Sequence, residues 1–306
     1  MTPRSQKILC IGECMVEIAS GEGKNCTKGF AGDTFNTAWY LRRALPAAWD
    51  VSYFTAIGDD TASEEMRAFM QAAGVNTADI IKVPGKTVGL YMIHLQNGER
   101  SFSYWRESAA ARMLANDETR LRAAMRTAGT LYFSGITVAI LDPQGRRNLL
   151  AAVKNARENG ATVVFDSNLR PRLWENESTM KKEIMRAAAV SDIVLPSFED
   201  EADYFKDACL QDTVARYHAA GASLVVVKNG GGEILASKFG ADTCVQLPEI
   251  IAAPVDTTAA GDAFNAGFLS AYLLDQDLAA ALKAGSALSA RVISQRGALV
   301  ENTDRA

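Results

Sequence analysis

The sequence predicts a mainly parallel β-sheet covered by helices on both faces, with a small second sheet set into it. Three observations carry this expectation. Short β-rich runs alternate with segments of helical periodicity along most of the 306 residues. Residues 87–106 break the alternation with two extended runs around Asn97-Gly98, a strong hairpin signal. Polar residues gather where the apolar runs end, which is where open α/β sheets bind ligands.

The extended runs are KILCIG (7–12), VSYFTAIG (51–58), TLYFSGIT (130–137), ATVVFDSN (161–168), DIVLPS (192–197) and SLVVVKNG (223–230). Helical periodicity covers 33–45, 63–74, 143–160 and 212–221, and the apolar run from Ala263 to Leu274 suits a buried helix. The hairpin, together with the extended stretch from Cys14 to Phe30, would form a lid. The expected organisation is therefore a core of residues 1–13, 33–86 and 108–306 and a β lid of residues 14–32 and 87–107.

With 48% apolar residues the chain can bury a large core, and a formal charge of −4 with scattered Lys and Arg predicts neither nucleic acid nor an anionic membrane as partner. The five cysteines form no Cys-x-x-Cys pair, and only His94 and His218 could complete a zinc site, so disulfide frameworks and structural zinc are not expected. The apolar run Ile8–Ile11 is too short for a signal core or a membrane span, which reads as a reduced, cytoplasmic protein.

The richest stretch is Asp256-Thr-Thr-Ala-Ala-Gly-Asp-Ala-Phe264. Ala259, Ala260 and Gly261 have almost no side chain, so their amides, at the positive end of the following helix, can meet an anion. Asp262 sits beside them as a proton acceptor. The plainer reading is that Thr258 caps a buried helix and Asp262 complements its dipole. Gly32, Asp33 and Asn36 open the first helix, the last two one turn apart and able to face one ligand, against plain N-capping by Asp33. Asn168 and Arg170 follow the strand ending at Asp166; Arg170 offers a bidentate fork for a carboxylate or phosphate, or a partner for surface acids, and Trp174 suits packing. Lys228, Gly230 and Gly231 close another strand with a loop that suits a nucleotide or merely a hairpin turn. On the hairpin, a two-residue turn at Asn97-Gly98 pairs Gln96 with Glu99, Tyr91 with Tyr104 and Gly89 with Arg106. Tyr91, Tyr104 and Arg106 then share one face, fit for a small polyhydroxy acid or for ordinary amphipathic surface.

The run DTTAAGDAFNAGF resembles the C-terminal signature of the ribokinase-like carbohydrate kinases, and Phe30 to Ala38 resembles their N-terminal one. The likeness runs nearly end to end. It implies a three-layer α/β/α sandwich with a lid, ATP and Mg2+ as cofactors, a monovalent cation as a further candidate, and Asp262 as catalytic base. It also implies sugar hydroxyls on Gly32, Asp33 and Asn36, and nucleotide contacts from Asn168, Arg170, Lys228, Gly230, Gly231 and the amides of Ala259, Ala260 and Gly261. Tyr104-Trp-Arg106 and Asp166-x-Asn-x-Arg-Pro-x-Leu-Trp174 resemble a subgroup acting on keto-deoxy sugar acids, which implies that Arg106 and Arg170 hold a carboxylate, with Tyr91 and Tyr104 beside it. Two departures stand out: Ala259 where the family usually has glycine, and Ser197-Phe-Glu-Asp200 where many members have Asn-x-x-Glu. A homodimer or higher homo-oligomer through the lid sheet is a further expectation.

Other classes fit less well. A nicotinamide oxidoreductase needs Gly-x-Gly-x-x-Gly where Ile11 to Met15 offers one glycine, and no P-loop motif is present. A sugar-binding regulator without catalysis would tolerate a neutral residue at position 262. Within the kinases the runners-up are a keto-deoxygalactonate kinase and, set apart by Arg106 because their substrates are neutral, a fructokinase, a ribokinase or a nucleoside kinase.

Overall fold

The computed structural model describes residues 5–20, 25–96, 99–241, 243–248, 251 and 253–301. The chain opens with strands β1 (Lys7–Ile11), β2 (Met15–Ser20) and β3 (Cys26–Ala31), then helix α1 (Asp33–Ala44), strands β4 (Asp50–Phe54) and β5 (Ala56–Ile57), and helix α2 (Thr61–Ala72). Strand β6 (Ile81–Lys82) leads to the hairpin β7 (Gly89–Gln96) and β8 (Glu99–Trp105), followed by α3 (Glu118–Arg126), β9 (Thr130–Ser134), α4 (Gly135–Ala139) and α5 (Pro143–Glu158). Next come β10 (Thr162–Asp166), α6 (Glu177–Ala189), β11 (Ile193–Val194), α7 (Phe198–Phe205) and α8 (Leu210–Ala220). Strands β12 (Leu224–Val227), β13 (Ile234–Lys238) and β14 (Thr243–Gln246) precede α9 (Ala260–Asp275) and α10 (Leu278–Ile293).

The main sheet has the order β14-β13-β12-β11-β10-β9-β1-β4 and is parallel except for β13 and β14, as expected. Its strands are buried on both faces, and their side chains alternate between two cores. Leu9, Ile11, Leu131, Phe133, Val163 and Phe165 pack with α3, α5, α6 and α8. Ile8, Cys10, Tyr132, Val164 and Val226 pack with α1, α2, α9 and α10. Strand β1 runs outward to β4, whereas β9 to β12 build on its other side. The order therefore reverses between β1 and β9, the kind of switch point at whose carboxyl ends open α/β sheets bind ligands.

The expected small sheet forms with the order β3-β2-β7-β8, and β5 and β6 make a further short pair. The hairpin register matches the expectation, with Gln96 opposite Glu99 and Tyr91 opposite Tyr104; the turn residues Asn97 and Gly98 lie outside the described residues. One face of this sheet, including Val16 and Phe30, packs on the core, the Phe30 ring lying 5.4 Å from that of Phe69. The opposite face gathers Met15, Ala31 and Tyr91 against Ala298, with Ala259 at the edge.

Helix α9 is apolar and buried from Ala263 to Ser270, and helix α1 packs beside it. Its first residue follows Ala259, which has φ 60° and ψ 14°, and no side chain caps the helix. The preceding turn is fixed by the Asp256 carboxylate, which accepts from the Thr258 amide at 3.0 Å and the Gly297 amide at 2.7 Å. The left-handed backbone costs an alanine roughly 1–2 kcal/mol, part of which glycine would give back as unfolded-chain entropy. Ala259→Gly is therefore expected to stabilise the protein by about 0.5–1 kcal/mol; thermal unfolding checks this, and a lowered melting temperature would remove strain at position 259 from the description.

Candidate active site

The carboxyl ends of β1, β9, β10 and β12 meet the first turns of α1 and α9. At α9 the Ala260 amide, expected among the free donors, is bonded to the Thr257 carbonyl at 3.2 Å. The amides of Gly261 and Asp262 have no protein acceptor among the described residues. They keep the positive end of the helix dipole open to an anion. Thr258 is not the cap, which removes that half of the plainer reading, while Asp262 does stand in the first turn of the helix.

Asp262 is partly buried, and its Oδ2 accepts from Asn36 Nδ2 at 2.8 Å, across 226 residues of sequence. Asn36 Oδ1 in turn accepts from the Gly32 amide at 3.2 Å. Gly32 must be glycine, since a Cβ there would lie 2.2 Å from the Glu13 carbonyl oxygen. Gly32 occupies the cap position of α1, and Asp33 is its first residue, so Asp33 does not cap the helix. Its Oδ2 accepts instead from Asn168 Nδ2 at 2.9 Å, and Ser134 donates to the same carboxylate. Burial pushes the Asp262 carboxyl up to about 7, with the charge of Asp33 adding to the shift and the Asn36 hydrogen bond opposing it. Burial likewise raises Asp33, against the Ser134 hydrogen bond.

A polar chain runs under the site. Lys228 Nζ lies 3.3 Å from Asp166 Oδ1 and 3.0 Å from Asn265 Oδ1. Asn265 Nδ2 donates to Asp166 Oδ2 at 2.8 Å and to the Tyr132 hydroxyl at 3.0 Å, which also accepts from Thr37 at 3.2 Å. The Lys228 ammonium stands beside Gly261, 3.8 Å from where a Cβ would project. Sequence reasoning missed Tyr132, Thr37 and Asn265. The one signal available was an asparagine inside an otherwise apolar helix.

Gly230, at φ 53°, and Gly231 belong to the open loop joining β12 and β13, closed by the Gly232 amide donating to the Asn229 carbonyl at 2.7 Å. The glycine run is thus a hairpin connection, with no atom within 4 Å of a Cβ built at Gly230 or Gly231. Asn168 and Arg170 have φ 28° and 44°, which turns the loop after β10 back over the site. The Arg170 side chain is 56% exposed, and its guanidinium lies 3.8 Å from Asp200. Its charge is felt at Asp33. Burial raises the Asp200 carboxyl, with Arg170 opposing. Trp174 is packing, its indole donating to the Leu169 carbonyl at 2.7 Å.

On the small sheet, Tyr91 is buried and its hydroxyl donates to Glu17, while Tyr104, its neighbour at 5.9 Å between rings, is 53% exposed. Arg106 is buried and ion-paired with buried Glu13, with its guanidinium 6.0 Å from the Tyr104 ring. The arginine expected to face a ligand already has a protein counter-charge. Glu13 went unnoticed because it lies 93 residues away. Among the described residues no three His, Cys, Asp or Glu side chains stand close enough to hold a metal ion unaided. Asp166 and Asp200, ion-paired with Lys228 and Arg170, are the kind of donor that a magnesium ion held mainly by phosphate and water would take.

The profile of the pfkB family of carbohydrate kinases matches residues 5–305. The 2-dehydro-3-deoxygluconokinase of Dickeya dadantii (strain 3937) is 38% identical over 303 residues, 97% of each chain. A fructokinase of Rhizobium leguminosarum bv. trifolii is 30% identical over 88% of this chain and 80% of its own. The crystal structure of fructokinase from Vibrio cholerae O395, in its fructose-, ADP- and calcium-bound form, superposes with a TM-score of 0.83 at 22% identity, covering 95% of this chain and 94% of that one. It shares the ribokinase-like fold. With the paired signatures at α1 and α9, the reversal of strand order between β1 and β9 and a match over nearly its whole length, the chain belongs to the pfkB family of carbohydrate kinases.

Proposed function

We propose that the protein transfers the γ-phosphoryl group of ATP to the primary hydroxyl of 2-keto-3-deoxygluconate, giving 2-keto-3-deoxy-6-phosphogluconate. The observation that carries this is Asp262, a carboxylate beside two free helix amides and next to Gly261, where the Lys228 ammonium stands. The choice of acid is supported by the likeness to 2-dehydro-3-deoxygluconokinases along the whole chain and by the buried arginine on the hairpin.

Asp262 accepts the hydroxyl proton as the oxygen attacks phosphorus, and Asn36 fixes the carboxylate that receives it. The amides of Gly261 and Asp262 and the ammonium of Lys228 face the charge spread over the transferring group. We therefore assign Lys228 to the phosphates of the nucleotide. Arg170, on its back-turned loop, is placed to close over the same charge from solvent. Gly32, Asp33 and Asn168 form one hydrogen-bonded wall for sugar hydroxyls. Tyr91, Tyr104 and Arg106 form the other, on a sheet we read as a lid that excludes water. Magnesium, brought with ATP and held near Asp166 and Asp200, would neutralise phosphate charge. We assign Phe102 and Trp105, exposed on the edge strand β8, to contact with a second copy of the chain. We place the protein in the cytoplasm, in keeping with its five unpaired cysteines.

A neutral-sugar kinase is the second reading, favoured by one observation: Arg106 and Glu13 already form a neutral unit. A coupled ADP-release assay with 2-keto-3-deoxygluconate, its galactonate epimer, gluconate, fructose, ribose and adenosine separates the two, and a preference for fructose or ribose would overturn the acid assignment. In the same assay Arg106→Ala should raise KM for the acid roughly 10–100-fold while leaving a neutral sugar far less affected; equal effects would make Arg106 a packing residue. Asp262→Asn should lower turnover by roughly 10²–10⁴-fold.

The pH dependence follows from the raised Asp262 carboxyl. The base must be ionised, so kcat/KM should rise with pH along a limb centred at about 7. Asp33→Asn, which removes a neighbouring negative charge, should move that midpoint to lower pH. For stability the sign is opposite. Ionisation of Asp262 is disfavoured in the folded state, so its destabilising effect appears above the unfolded value of 3.8 and is complete above about 7. Asp262→Asn should accordingly raise the melting temperature near pH 8 and not near pH 4, and an equal gain at both would mean that the carboxyl is not raised.

A further inference from the structure

Glu13 lies in the turn between β1 and β2, deep under the small sheet, and is 2% exposed. Its Oε2 receives Arg106 Nη2, but its Oε1 is buried without a hydrogen-bond partner among the described residues. The Nε of Arg106 is equally buried and equally unpartnered. A buried ion pair normally saturates its donors and acceptors, because each one left bare is costly. Here both partners keep one bare atom. Gly89 lies against the bare oxygen, where a Cβ would come within 2.7 Å of Oε1. The charged and titratable groups facing Glu13 are Arg106 at the end of β8, Asp33 on α1, Arg112 in the turn after the hairpin, and the Cys14 thiol beside it. Two of them, Asp33 and Arg106, line the candidate site itself.

We propose that Glu13 is the positioning residue for Arg106 and the internal counter-charge that the carboxylate of an acid substrate replaces. It holds the guanidinium in place while the site is empty. When an acid binds to Arg106, two carboxylates share one buried cation, and the strain is relieved by protonating the one that cannot reach solvent. Binding then takes one proton from water onto Glu13, the substrate keeping its negative charge on the guanidinium. Burial, the largest influence on Glu13, already pushes its carboxyl up against the opposing charge of Arg106. Loss of its hold on that charge pushes it further in the same direction. The inference rests on reading the substrate as a sugar acid.

Calorimetric titration near pH 7 in buffers of different ionisation enthalpy tests it, with 2-keto-3-deoxygluconate and its neutral carboxamide as ligands. The wild-type protein should take up protons with the acid and none with the amide. Glu13→Gln should abolish the uptake and bind the acid about tenfold more tightly, since one competing negative charge is gone. Asp262→Asn should retain the uptake, which separates Glu13 from the neighbouring base. Absence of proton uptake in the wild-type protein, or its persistence in Glu13→Gln, overturns the proposal, and the first of these needs no variant to fold. Failure of the acid to bind while neutral sugars do would instead overturn the substrate assignment.

Discussion

The arrangement depends on one electrostatic constraint: a carboxylate, Asp262, is held at the positive end of a buried helix in the company of other buried acids. The open amides of Gly261 and Asp262 favour negative charge there, while burial and Asp33 disfavour it. The result is an acid poised near neutrality, able to take and release a proton under ordinary conditions. Much of the surrounding structure serves to keep that balance. Asn36 restrains the ionised form with one hydrogen bond, and Asn168 and Ser134 do the same for Asp33.

The balance is held by elements that are distant in sequence. Tyr132 on β9, Asn265 on α9, Asp166 on β10 and Lys228 after β12 form one continuous hydrogen-bonded chain beneath the site. Because Asn265 and Asp166 are almost fully enclosed, each polar atom must find a partner, and that requirement fixes α9 against the sheet more sharply than apolar packing does. The cost is local strain. Ala259, Asn168 and Arg170 all adopt left-handed backbone within reach of the site.

The small sheet solves a different problem. One of its faces is anchored to the core through Val16, Phe30 and Leu90, while the other carries Tyr91 beside Tyr104. On the proposed reading, specificity is carried by a separate piece of structure from the chemistry. An arginine there must be kept soluble in a buried setting when nothing is bound, and Glu13 supplies the charge that does so.

Local pattern determined the alternation of strands and helices, the hairpin register that sets Tyr91 against Tyr104, the apolar run that buries α9, and the small residues ahead of Asp262, since period, turn chemistry and side-chain size are properties of neighbouring residues. Tertiary structure alone decided that Asn36 would hold Asp262, that Asn168 would hold Asp33, that the Ala260 amide would be taken by Thr257, that Lys228 would stand beside Gly261, and that Glu13 would lie under Arg106. Those pairings follow from which strand ends lie side by side. The strand order arises from the packing of two whole cores, which no local period encodes.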